Sequence, residues 1–270
     1  MLSGMGRALC LALLISASVS ARADIITTSS LHTGGFFADG GADNKIEHQN
    51  YFVGYGTTPG FGRTAERRSF FWYHVPTFAG EVVDATIKLK MLFSTSLIFG
   101  LGPTPPIHDP TESFQLGYTT APAPLVTSPT LTTPEKLAIF GSLDDHPIAS
   151  PYEFSMATTY DFPFTVEIHL DAAGKALISD HRGGDVVLSG WMPSWSLDMR
   201  TDPLTGKFLE EDELLFGFSD VPTLVPAPEL TIVTAVPEPS TWLVLIAGAA
   251  GVTRVRKAMS VRHRSKSHSA

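Results

Sequence analysis

Cysteine is almost missing from this chain: Cys10 is the only one in 270 residues. Charge is also scarce, at 17% Asp, Glu, Lys and Arg, against roughly 25% in an average soluble chain. Basic charge is the scarcer sign, 19 Lys and Arg against 27 Asp and Glu, for a formal net charge of −8. These shortages exclude a charged disordered chain and a coiled coil, and the lack of basic surface argues against nucleic acid as a partner. No G-x-S-x-G elbow and no H-E-x-x-H pair occurs, so two common hydrolytic centres have no sequence basis. Hydrophobic residues at 43%, with Gly 23 and Pro 20, fit a turn-rich globular body. The length suggests one to two domains at about 150 residues each.

Met1 to Ala23 has the layout of a secretory signal. Arg7 is the positive n-region, Ala8 to Ile15 the apolar core, and Ala21-Arg22-Ala23 the small-x-small cleavage box. Signal peptidase is therefore expected to cut after Ala23, with recognition at Ala21 and Ala23, so that the mature chain begins at Asp24. Cys10 lies inside the removed segment. No small residue precedes it as in a lipidated cysteine, and the mature protein is expected to have neither thiol nor disulfide, which suits bacterial export.

The other end has its own order of parts. Pro237-Glu238-Pro239 is followed by Ser240, Thr241, Trp242, the apolar run Leu243 to Val252, and then Arg254, Arg256 and Lys257. The prolines fix φ near −65° and keep Glu238 extended. Trp242 suits a membrane interface, and the basic cluster suits the cytoplasmic side. Thr241 to Thr253 is 13 residues, about 20 Å as a helix against a hydrocarbon core of about 30 Å. Ser240 to Met259 spans 20 residues if the arginine side chains snorkel to the headgroups.

Residues 236–257, VPEPSTWLVLIAGAAGVTRVRK, resemble the PEP-CTERM sorting signal: a Pro-Glu-Pro tripeptide, a transmembrane stretch and a basic end. The resemblance implies recognition by exosortase, an integral-membrane cysteine protease. It further implies tail removal and delivery to the surface or extracellular matrix of a Gram-negative cell, often one making exopolysaccharide. Pro237, Glu238 and Pro239 match the tripeptide, and Arg254, Arg256 and Lys257 the membrane-stop cluster. The short apolar run and the extra residues 258–270 depart from the pattern.

Between the signals, residues 24–236 carry 11 basic and 26 acidic residues, a net charge of −15. The dominant period is two. Val83 to Met91 is apolar at odd positions, and Phe164 to Leu170 is apolar at even ones. Phe114, Leu116 and Tyr118 alternate with Ser113, Gln115 and Gly117. Such alternation predicts antiparallel strands with one wet face. Further strands are expected over Tyr51–Tyr55, Ser69–Val75, Val186–Trp191 and Glu213–Phe218. Asp171 to His181 is the one predicted helix, capped by Asp171. Pro103 to Pro134 reads as a proline-rich connection. The expected fold is all-β: an antiparallel β-sandwich, jelly-roll-like, with one short helix and a C-terminal transmembrane helix. The expected organisation is signal peptide 1–23, sandwich 24–235, sorting signal 236–257 and basic cytoplasmic tail 258–270.

The segments 50–56, 66–90, 109–116 and 212–219 are similar to blocks found together in exported PEP-CTERM proteins. The second also resembles the strand core of DNRLRE-type carbohydrate-binding sandwich modules. Tyr73-His74 stands where that core has a Phe-Asp pair, so the resemblance implies the fold and not the ligand site.

Chemistry in the body rests on few candidates. Asp39, Asp43 and Asn44 sit in a Gly-rich loop with oxygen donors suited to calcium, and Glu210 to Glu213 is a run of four acids. A turn and a solvated loop are the simpler accounts, and no cofactor is required. Glu167 and His169 share the wet face of one strand, with Asp180-His181 following the helix; exposed polar pairs explain them better than catalysis. Tyr51, Phe52, Phe71, Trp72, Trp191 and Trp195 form either a sugar platform or a core. The leading expectation is a non-enzymatic exported protein handled by signal peptidase and exosortase, crossing the inner membrane transiently. A module binding exopolysaccharide comes second, and a secreted glycan-active enzyme third.

Overall fold

The computed structural model describes residues 21–45, 51–58, 63–92, 97–99, 110–194, 200–201, 208–209, 213–216 and 227–237. Strands lie, in chain order, at β1 (Ala21–Ser29), β2 (His32–Phe37), β3 (Ala42–Asp43), β4 (Val53–Thr58), β5 (Arg63–His74) and β6 (Glu81–Met91). They continue with β7 (Leu97–Ile98), β8 (Thr111–Tyr118), β9 (His146–Pro147), β10 (Tyr152–Ser155) and β11 (Phe164–His169). The last are β12 (Asp185–Trp191), β13 (Arg200–Thr201), β14 (Phe208–Leu209), β15 (Glu213–Leu215) and β16 (Glu229–Pro237). Helices are α1 (Ala123–Val126), α2 (Thr133–Ser142) and α3 (Ala172–Asp180).

The fold is all-β, as the period of two requires. A four-stranded sheet has the order β1-β16-β6-β11, and a ten-stranded sheet is built around β5. The register explains how one strand holds so many neighbours. Arg67 stands opposite both Phe37 and Gly54, while Phe70 stands opposite both Gly34 and Ser189. β2 therefore occupies one edge of β5, and β4 and β12 follow one another along the other. Gly54, at φ 119°, makes this crowding possible, because a Cβ there would collide with the Glu213 carbonyl.

The main core lies between the two sheets. Ala85, Ile87, Leu89 and Met91 of β6 join Val166 and Ile168 of β11 and Leu230 and Ile232 of β16. Phe71 and Tyr73 of β5, Phe114 and Leu116 of β8, and Val186 and Leu188 of β12 complete it. A second core covers the opposite face of the large sheet, where Phe36, Phe70 and Val187 pack with Val126, Leu131, Ile139 and Leu143. Burial on both faces is why Ser69 to Val75 reads as a continuous apolar run while β6 and β11 alternate.

The helix count differs from the expectation of one: the described residues contain three. The expected helix is present, with the Asp171 carboxylate accepting from the Gly174 N–H at 2.9 Å. α1 lies inside the proline-rich stretch, and α2 begins at its end; the start of α2 is the better marked. Its start is fixed by Thr132, whose backbone N–H and Oγ1 both donate to Glu135 Oε2 at 2.7 Å, with proline in the first turn.

The chain divides into two compact units. The larger comprises Ile25–Phe78 and Val82–Val233, and the smaller Met1–Asp24, Ala79–Glu81 and Thr234–Ala270. The expected transmembrane helix lies outside the described residues, among which no helix is long and apolar enough to cross a membrane.

Candidate functional site

The loop proposed for calcium is built by the chain itself. Gly40, at φ 81°, turns the backbone, and Asp39 Oδ1 accepts from the Gly41 N–H at 2.9 Å. Asp43 Oδ2 lies 3.3 Å from Arg67 Nη1, with both side chains out of solvent at 1% and 0% exposure. Asn44 Nδ2 donates to the carbonyls of Val126 at 3.0 Å and Ser128 at 2.8 Å. Asp39, Asp43 and Asn44 thus serve three separate protein contacts, tying the β2–β3 hairpin to β5 and to the helical layer. Among the described residues no cluster of three or more His, Cys, Asp or Glu side chains is placed to hold a metal.

Arg67 is the functional-looking residue that sequence reading missed. Its guanidinium carbon lies 3.8 Å from the Phe52 ring centroid and 5.3 Å from that of Phe37. Burial lowers its pKa to about 10, and the neighbouring Asp43 carboxylate opposes that fall. A cation held between two rings and one carboxylate is geometrically fixed and shut off from solvent, which suits a structural centre.

Two more buried acids stand in strands. Glu112 is fully buried in β8 and accepts from Ser194 Oγ at 2.6 Å, while that hydroxyl accepts from the Ser113 N–H at 2.9 Å. Its placement was legible, since Glu112 shares parity with the inward Phe114 and Leu116. Glu213 opens β15 opposite Tyr55, within the strand expected over Glu213–Phe218, and is 3% exposed, so this member of the acid run is buried in a strand and not solvated in a loop. Glu210, Glu211 and Asp212 lie outside the described residues.

The Glu167 and His169 pair is an exposed cross-strand array. Glu167 Oε1 meets Lys88 Nζ at 3.1 Å. His169 Nδ1 lies 3.3 Å from Asp84 Oδ1 and 3.2 Å from Thr86 Oγ1. Register sets Glu167 opposite Lys88 and His169 opposite Thr86, so these contacts follow from pleat geometry. His181 is separately engaged, its Nδ1 lying 2.8 Å from the Leu177 carbonyl oxygen. A second exposed pair, His74 Nδ1 to Asp185 Oδ1 at 2.8 Å, joins β5 and β12 and was not anticipated.

The aromatic candidates divide among different tasks. Tyr51, Phe52 and Phe71 are buried. The Tyr51 hydroxyl donates to the Lys90 carbonyl and accepts from the Lys90 N–H, each at 3.0 Å. Trp72 packs on the second core. Trp191 lies over Gly117, where its ring occupies the space of a missing Cβ. Trp195 lies outside the described residues.

At the chain ends, Ala21 and Ala23 fall in the first three residues of β1, and Pro237 is the last residue of β16. The two strands are neighbours. The Ser30 N–H donates to the Pro228 carbonyl at 2.8 Å, immediately after β1 and immediately before β16. This contact requires the strands to run antiparallel. Glu238, Pro239, Arg254, Arg256 and Lys257 lie outside the described residues. No family model and no curated protein matches the chain.

Proposed function

We propose that this chain is an exported bacterial protein of the cell surface or extracellular matrix, sorted through a PEP-CTERM signal that exosortase removes. Its body is a non-catalytic, jelly-roll-like sandwich, and its tail holds the sorting tripeptide, a membrane-spanning helix and a basic stop. The observation that carries this reading is the order of parts: Pro237-Glu238-Pro239, an apolar run, then Arg254, Arg256 and Lys257, joined to β16 without a linker. The secretory signal at the other end supports it. So do Asp43, Asn44, Glu167 and His169 among the described candidate groups, which are engaged in packing or in exposed cross-strand pairs.

Glu238 is the only charged residue between Leu230 and Trp242, which makes it the recognition handle. In a host with exosortase, Glu238→Ala leaves export intact while the untrimmed protein accumulates with the inner membrane, followed by immunoblot of membrane and surface fractions. Trimming and delivery equal to wild type would overturn the sorting reading and leave a tail-anchored surface domain.

A further inference from the structure

We propose that β11 is a docking edge for a second copy of this chain, the two β11 strands pairing antiparallel so that Glu167 of each copy faces His169 of the other. The four-stranded sheet then continues from one copy into the next across a two-fold axis. This surface is separate from the chain ends and does not depend on the sorting reading.

The backbone supplies the edge. β11 pairs with β6 on one side, and no described strand lies on its other side. The Leu170 N–H donates to the Ala85 carbonyl at 2.8 Å, one step beyond the pair His169–Thr86. Hydrogen-bonded pairs recur at every second residue of an antiparallel ladder. Ile168 and Val166 therefore direct their backbone bonds to Ile87 and Leu89, and Thr165, Glu167 and His169 turn theirs to the open edge. These three residues are exposed, while Val166 and Ile168 are buried. Folded proteins guard such edges with short strands, prolines, lysines, bulges or an inward-pointing charge. Among the described strands, β7 and β10 end the large sheet with two and four residues. β1, at the far edge of the small sheet, carries Asp24 at the parity of the partly buried Ile26. β11 runs for six residues with no proline, no lysine and no break in register.

Charge and register choose the occupant. Because Thr165, Glu167 and His169 offer the bonds, two β11 strands meet only in registers that set odd residues opposite odd ones. Glu167 opposite Glu167 brings like charges together, and His169 opposite His169 sets Glu167 against Asp171. Thr165 opposite Glu167 brings His169 to Pro163, which has no N–H. The alignment that avoids all three sets Glu167 opposite His169 twice, each pair exchanging both backbone bonds. On the inner face Ile168 then meets Ile168, and Val166 meets Leu170, so the apolar rows of the two cores run together. The outer side chains are already placed for it. Lys88 Nζ lies 3.1 Å from Glu167 Oε1, and Asp84 and Thr86 face His169 Nδ1. Glu167 Oε2 and His169 Nε2 are left for the facing copy.

The test uses the full-length chain in detergent, with sedimentation and hydrogen exchange followed across protein concentration. A dimer is expected. Where it forms, the amides of Glu167 and His169 are expected to exchange about tenfold more slowly, while those of Val166 and Ile168 are slow throughout. Glu167→Lys and His169→Glu are each expected to weaken the dimer about tenfold, because each sets like charges opposite one another. An equal mixture of the two variants is expected to restore it, since the mixed pair is complementary at both positions. Thermal unfolding of each variant alone checks that it folds, and the exchange measurement needs no variant. A chain that stays monomeric at every concentration overturns the pairing and leaves the edge to a strand from an unlike protein. A dimer that ignores both variants, or Glu167 and His169 amides that ignore concentration, overturns β11 as the interface. Two folded variants whose mixture stays monomeric overturn the register.

Discussion

Arg67 carries a charge into the interior, with no part of its side chain left in solvent. Its fully buried guanidinium has the Asp43 carboxylate and the rings of Phe37 and Phe52 to offset its loss of water. Breaking such a pair from one side costs about 3–5 kcal/mol, because a buried charge is left uncompensated, whereas replacing both partners by apolar residues is often neutral. Asp43→Ala is therefore expected to destabilise by about that amount in urea unfolding, and Asp43→Leu with Arg67→Met to recover most of it. A double variant as weak as the single would show that the pair is not the source. Tyr51 gives a pH signature. Burial pushes its hydroxyl up to about 12, and that of Tyr73 well above its ordinary value. The folded state holds these protons longer than the unfolded chain. Their stability is complete below pH 10 and is lost as pH rises towards 12, a loss of roughly 3 kcal/mol for Tyr51. Arg67, lowered to about 10, acts in the opposite sense above pH 10, but against two raised tyrosines. Tyr51→Phe should flatten the fall of the urea midpoint between pH 10 and 12; an unchanged slope would remove Tyr51 from the account. Sequence reading found the loop Asp39 to Asn44 as a place where oxygen atoms gather. It could not show that a cation from Arg67 answers them, because that partner is 24 residues from Asp43 and lies in a strand with no periodicity to mark it.

At the scale of elements, alternating strands were legible from the pattern alone. β6, β8 and β11 fall where the period of two places them, although the face of β8 expected to be wet is partly covered, with Gln115 and Gly117 buried. β5 was found from its aromatic run, and strands were expected where β4 and β12 lie, but the pairing of β5 with β2, β4 and β12 was not, because a strand buried on both faces carries no register signal. β1 and β16 went unread for another reason: each borders a segment read as a targeting signal, and the residues there were read for processing rather than for pairing. The helix α2 was missed although Thr132-Thr133-Pro134-Glu135 has the spacing of a capping box. Its one proline, Pro134, was read as the end of a connection, when proline in the first turn starts a helix. Both Thr132 donors bind Glu135, and they hold its carboxyl below the usual range. Glu135→Ala is expected to weaken α2 by removing the N3 half of its capping box. The readout is faster amide exchange over Lys136 to Ser142 with β5 unchanged. Uniform acceleration across both would mean that the helix has no local stability of its own.

For the molecule as a whole, the decisive absence is the thiol. Cys10 is the only cysteine, and on the export reading it leaves with the signal peptide. A bacterial surface domain often gains stability from a disulfide that restricts the unfolded chain. Here that work falls to two hydrophobic cores on opposite faces of one sheet, one enclosed by the four-stranded sheet and one by the helical layer. Folding after export then needs no oxidant, and no disulfide has to form before the tail is processed. The surface protein is expected to begin at Asp24, to give no reaction with a thiol reagent after unfolding, and to unfold at the same temperature with or without reductant. Amino-terminal sequencing, thiol titration and a thermal scan on one preparation check all three. A thiol-positive surface protein beginning at Met1 would show that Ala21-Arg22-Ala23 is not a cleavage box.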